Sequence, residues 1–255
     1  MATIASTAPT SVDRVHRRFF VAMSALLLAI VVIGFTPSFF LRTRFQPLDP
    51  TMGPPTLPGY LHVHGAILTT WYTLQLAQAT LIRARRLDLH RIVGVAGAVV
   101  AFGVVVASSV VLGGAAPRLA ATGLPPEGVS AILFNDIYAL ICFAALVATA
   151  ISLRRRTDTH KRLLVLASVV IIGPALSRWR YFPGLLGAPP IDDAYGTLAQ
   201  LVLLLALPAY DLVSRRRIDP ATAWGVGGFI AGHVPVALFV ASDRALAIVA
   251  RLVQG

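Results

Sequence analysis

"IVGVAGAVVAFGVVVASSVVLGGAA", residues 92–116, runs for 25 positions without a charge, an amide side chain or a histidine. A helix rises about 1.5 Å per residue, so such a run spans a hydrocarbon core about 30 Å thick. Membrane barrel strands are shorter and alternate in polarity, so a transmembrane helix is expected here. Working outward, the same kind of run recurs at 19–41, 57–82, 128–153, 194–214 and 220–242, with a shorter one at 163–177. Across the 255 residues, 56% are hydrophobic, 13% are charged, and the mean hydropathy is +0.76. A soluble domain carries roughly a quarter charged residues.

The fold expected is all-α, a polytopic bundle of seven transmembrane helices. Their approximate ranges are 18–41, 59–83, 90–114, 128–153, 160–178, 194–214 and 221–242. They form one domain over 18–255 behind a polar tail, 1–17. Arg162 and Arg178 extend the reach of the short fifth run by snorkelling.

A formal charge of +11 invites a nucleic-acid reading, but its placement is topological. With the N-terminus in the cytoplasm, the inner side holds Arg14, Arg17, Arg18, Arg83, Arg85, Arg86 and Arg91. It also holds Arg154, Arg155, Arg156, Lys161, Arg162, Arg215, Arg216 and Arg217. Only Arg42, Arg44, Arg118, Arg178, Arg180, Arg244 and Arg251 fall outside. That is the positive-inside pattern. The partners expected are membrane lipid and a small-molecule ligand, not nucleic acid; protein partners are unassigned. The single cysteine, Cys142, forms no internal disulfide. The first run is too long for a signal-peptide core and reads as an uncleaved helix.

The turns repeat. "RRLDLHR" at 85–91, "RRTDTHK" at 155–161 and "RRIDPA" at 216–221 each place Asp two positions after an Arg pair. Asp88, Asp158 and Asp219 are expected N-caps, with the arginines closing the preceding helix. Asp219 before Pro220 is a strong helix start. Three hairpins of like orientation behind helix 1 follow, as a worn internal repeat. The third copy lacks a histidine, so the shared element is the turn rather than a ligand set. His90 and His160 read as interfacial residues or, alternatively, as axial ligands of a haem b, with Arg91, Lys161 and Arg162 facing its propionates.

Ionisable and amide residues inside the runs are the functional candidates. His64, Trp71, Gln75 and Gln78 fall on one helical stripe, either as a pocket wall or as interhelical hydrogen bonds. His62 points elsewhere, so the two histidines chelate one metal only if the helix begins after His64. Asp136, flanked by Asn135 and Tyr138, lies about 12 Å down its helix. Arg178 is its first expected partner and His64 its second. His233, before Pro235, lies near mid-membrane; glycines 225, 227, 228 and 232 allow a neighbouring helix to approach. The loop "YFPGLLGAPPIDDAY" at 181–195 reads as a connector, with Asp192 and Asp193 at a helix start. Walker, dinucleotide, zinc and hydrolase patterns are absent, and so is a seventh-helix lysine.

The segments "LHVHGAILTTW", "LHRIVGVAG", "THKRLLVLAS" and "RRRIDPATAWG" resemble those of a group of uncharacterised bacterial polytopic membrane proteins. The resemblance implies the topology and a bacterial inner-membrane location, and carries no activity. Whether the chain is an enzyme is left open. The function expected is binding of a small ligand or metal, with redox chemistry as one variant, in an outward-facing cavity. Its walls are His64, Trp71, Gln75, Asn135, Asp136, Tyr138 and Arg178. The metal or haem candidates are His62, His64, His90, His160 and His233. Rival readings are a haem-binding electron carrier, a proton-coupled transporter using Asp136 and His233, and a structural membrane partner.

Overall fold

A chain in hydrocarbon must satisfy its own amides, and every regular element among the described residues is helical. The computed structural model describes residues 11–45, 56–180 and 194–254. In chain order the α-helices are α1 Ser11–Phe35, α2 Arg42–Phe45, α3 Gly59–Arg83, α4 Leu87–Gly113, α5 Ala115–Ala120 and α6 Pro126–Ser152. They continue as α7 Thr157–Val170, α8 Gly173–Ser177, α9 Ala194–Arg215, α10 Pro220–Val240 and α11 Asp243–Gln254. Helix α1 passes into a π-helical turn, Thr36–Phe40, with Pro37 in its first turn. The expected polar tail is thus helical from Ser11. The loop 181–193, with Asp192 and Asp193, lies outside the described residues.

Five helices are long and apolar enough to cross a membrane: Arg18–Phe40, Leu87–Gly113, Pro126–Ser152, Tyr195–Arg215 and Pro220–Val240. The chain is therefore a helical bundle of multi-pass membrane type. On α4, Ile92, Val95, Val99 and Phe102 recur at helical spacing, each between 67% and 70% exposed. Such an apolar stripe is at home against lipid. Two of the expected spans differ from the rest. Helix α3 has 25 residues, but its His, Gln and Thr side chains lower its hydropathy. Helix α7 has only 14.

Most of helix α7 is enclosed by the bundle. Arg162, Leu163 and residues 165–170 are buried, with α1, α6, α9 and α10 packed around it and α3 hydrogen-bonded to it. A helix ending inside a bundle leaves orphan carbonyls. Here Gln200 of α9 donates through Nε2 to the carbonyls of Val169 (3.0 Å) and Val170 (3.1 Å). Pro174 opens α8 just beyond. The same core takes in Leu27, Phe143, Leu166 and Leu207. Where α1 crosses α8, a Cβ on Gly34 would collide with the carbonyl of Ala175, so only glycine permits the crossing.

The repeated turns differ in detail. Arg85 (φ 60°) and Arg216 (φ 55°) take the left-handed conformation usually given to glycine after a helix. Arg86 N–H donates to Leu81 and Arg85 N–H to Ile82, a complete Schellman closure of α3. Arg216 N–H donates to Leu212 and closes α9 with the simpler left-handed cap. Asp219 is an N-cap as expected, its carboxylate accepting from Ala221 N–H at 3.0 Å. Asp88 and Asp158 are not: α4 and α7 begin at Leu87 and Thr157, two positions earlier than an Asp N-cap would require, so Arg86 and Arg156 take the N-cap position. The cause is local. Proline keeps the residue before it extended, so Pro220 holds Asp219 outside its helix, whereas Leu89 and Thr159 leave Asp88 and Asp158 free to turn helical.

The segment beyond α10 forms a separate helix. Ser242 Oγ accepts from Ala245 N–H at 3.3 Å and starts α11, whose Ala245 and Val249 are buried. The helix packs on α5 and α6.

Candidate functional sites in the bundle

The strongest polar cluster links the turn ends of α7, α9 and α10. Arg162 and Asp211 are both fully buried, with Nη2 to Oδ1 at 2.6 Å and Nε to Oδ1 at 3.2 Å. Asp211 Oδ2 accepts from Thr222 Oγ1 (2.6 Å) and Asp219 N–H (3.1 Å). Arg162 Nη1 donates to the Asp158 carbonyl at 3.0 Å. Around this pair, Arg215 bonds Asp158 at 2.7 Å and approaches Asp219 at 3.5 Å. Lys161 also pairs with Asp158. Partial burial raises the proton affinity of Asp158, but the Lys161 and Arg215 hydrogen bonds outweigh it and hold the carboxyl well below the usual carboxylate range. A buried ion pair survives only when its remaining donors and acceptors are met, and here each charge has several partners. Arg162 was expected to snorkel; it points inward because Asp211 waits there. The sequence signal for this cluster was one acid inside an apolar run, Asp211, opposite a basic residue at a helix start.

The polar stripe on α3 divides in two. Its lower part is spent on neighbouring helices. Trp71 Nε1 donates to Ser168 Oγ at 2.9 Å and Tyr72 Oη to the Ser168 carbonyl at 2.8 Å. Gln75 donates to the Leu164 carbonyl at 3.3 Å and accepts from Ser168 Oγ. Gln78 donates to the His90 carbonyl at 3.2 Å. Trp71 and Gln75 therefore dock α3 on α7 rather than line an open cavity.

The upper part faces something else. Trp71 meets Phe143 of α6 edge to face, with ring centroids 5.1 Å apart. His64 and Asp136 each lie seven residues before those rings, two turns up the same faces. Arg178, at the end of α8, lies within electrostatic reach of both His64 and Asp136. Arg178 thus acts electrostatically on one group in the N-terminal half of α3 and on one in that of α6. Asp136 sits ten residues into α6, about 15 Å by helical rise. It makes no hydrogen bond and no ion pair among the described residues. His64 Nδ1 and Asn135 Oδ1 are buried without a partner among the described residues. Arg178 donates to the Pro174 carbonyl at 2.6 Å and lies 4.4 Å over the Phe35 ring. Arg118 also reaches His64 electrostatically.

Tyr138 does not belong to this group. Two residues on from Asp136 is about 200° around a helix, and Tyr138 faces α10. Its hydroxyl donates to the Phe229 carbonyl at 2.8 Å, and its ring lies 5.7 Å from that of His233. A Cβ on Gly232 would strike that hydroxyl, and one on Gly225 would press on Leu166, while Gly227 and Gly228 face open space. His233 Nδ1 is buried and has no partner among the described residues.

The metal readings find little geometry. Among the described residues, no three His, Cys, Asp or Glu side chains gather as a ligand set. Both His62 and His64 lie inside α3, so the extended chelating segment does not form. His62 is exposed against Phe39, ring centroids 5.6 Å apart. His90 and His160 do come within electrostatic reach of each other, and His160 Nδ1 lies 2.8 Å from the Ala150 carbonyl. Yet Lys161 and Arg162, expected to meet propionates, are engaged with Asp158 and Asp211. Compared with known proteins, the chain matches no family model, no curated protein and no solved structure.

Proposed function

We propose that the chain is a seven-helix protein of the bacterial inner membrane, with its N-terminus in the cytoplasm, that binds a small polar ligand in the outer half of the bundle. The binding groups are His64, Asp136 and Arg178. One observation carries the reading: Asp136 lies well inside a spanning helix without a hydrogen bond or ion pair among the described residues, while a guanidinium stands within electrostatic reach. A carboxylate at a helix centre costs about 2.5–3.5 kcal/mol on insertion scales, and among the described residues no hydrogen bond or ion pair to Asp136 offsets it. A ligand with a donor for Asp136 and an acceptor for the Arg178 guanidinium bridges the two. A small zwitterion or hydroxy acid has that form. Helix α3 serves as the sixth span and the enclosed α7, extended by α8, as the seventh; three hairpins of like orientation then place the basic turns inside.

The test is a thermal-shift panel of glycine, lactate and inorganic phosphate on the purified protein, repeated with Asp136→Asn and Arg178→Gln. A stabilising compound whose effect disappears in both variants supports the site. An effect that persists in both places binding elsewhere. The orientation is tested by labelling Asp88→Cys and Asp158→Cys in a Cys142→Ala background; both must react from the cytoplasmic face.

A further inference from the structure

Two apolar grooves flank the last turns of α4. One, about 370 Å³, lies against α3 and is lined by Val63, Ile67, Phe102 and Val110. The other, about 500 Å³, lies against α6 and α11 and is lined by Leu112, Phe134, Ile137 and Leu252. Beyond the end of α4 stands Arg118. Its guanidinium donates to the carbonyls of Gly114 and Val111 and lies 5.5 Å over the ring of Tyr60, which itself lines the first groove. A guanidinium has five N–H donors; these two bonds leave three. Arg118 makes no ion pair among the described residues, so its charge is not neutralised by a carboxylate there. Helix α4 ends at Gly113, and its 27 residues are enough to cross a membrane, so Arg118 falls at the level of lipid headgroups.

We propose that this is a site for one anionic diacyl phospholipid seated astride α4. Its phosphate meets Arg118 and one acyl chain lies in each groove. Charge complementarity selects the occupant: basic pockets between membrane helices take anionic headgroups, and a bidentate guanidinium suits phosphate. The site is distinct from the ligand proposed for His64 and Asp136, and shares with it only the electrostatic influence of Arg118 on His64.

The test uses the full chain in detergent, with phosphatidylglycerol and phosphatidylcholine of identical chains, read by native mass spectrometry and thermal shift. The expected result is one phosphatidylglycerol retained per chain and about a fivefold preference over phosphatidylcholine. Arg118→Gln abolishes the preference. Gly113→Phe fills open space, since a Cβ there meets nothing within 4 Å; it weakens both lipids and keeps their ratio. Equal affinities in the unaltered protein overturn the proposal, as does a preference that survives Arg118→Gln. Glycerol phosphate binding as tightly as the lipid also overturns it, because the grooves then contribute nothing. Should Arg118→Gln fail to fold, the lipid comparison on the unaltered chain and on Gly113→Phe decides alone.

Discussion

Arg162 and Asp211 face each other at 2.6 Å, both fully enclosed, from helices 49 positions apart in sequence. This pair and its partners Thr222, Asp219 and Asp158 lock α7, α9 and α10 together at their turn ends. Breaking such a pair leaves an uncompensated charge, whereas replacing both members with apolar groups of similar size is often neutral. Asp211→Asn or Arg162→Met alone should therefore destabilise the protein by roughly 3–5 kcal/mol. The double variant Arg162→Met with Asp211→Leu should recover much of that loss. Thermal unfolding in detergent measures both, and a double variant as unstable as the sum of the singles would refute the pairing.

Ser168 is the hub between α3 and α7. Ser168→Ala leaves Trp71 Nε1 and Gln75 Oε1 without their partner. Interhelical hydrogen bonds in membranes average about 0.6 kcal/mol and reach about 1.7 kcal/mol, so a loss of roughly 1–2 kcal/mol is expected here. Denaturation midpoints should show it, and the Trp71 indole N–H should gain hydrogen-exchange rate.

Arg216 holds a left-handed conformation at φ 55°. A non-glycine residue there costs about 1–2 kcal/mol, part of which glycine repays as unfolded-state entropy. Arg216→Gly should raise stability by roughly 0.5–1 kcal/mol. A fall in melting temperature would mean that the Arg216 side chain does more for the fold than its backbone strain costs.

Much of this architecture was legible in the sequence, and the limits have physical causes. Apolar runs located α1, α3, α4, α6, α9 and α10 because period and length are local properties. The stripe on α3 was legible for the same reason, as was the cap at Asp219, where proline dictates the backbone. Helix α7 read as a short span because its enclosure by α1, α3, α6, α9 and α10 is a tertiary fact. The Arg162–Asp211 pair was missed for the same reason: Arg162 had an innocent local explanation as a snorkelling helix end. Asp88 and Asp158 were misplaced by two positions because the turn alone does not decide where a helix begins. Tyr138 was counted among the walls of the Asp136 cavity, although a helix sends the two residues to opposite faces.

The most direct measurement is the melting temperature of purified Asp136→Asn in the absence of added ligand. If Asp136 is kept for a ligand, the unliganded fold gains when the charge is removed, by roughly 1 kcal/mol, at the expense of binding. The account predicts a higher melting temperature together with loss of the ligand-induced shift. A marked fall in melting temperature would contradict it, because Asp136 would then be holding the helices together.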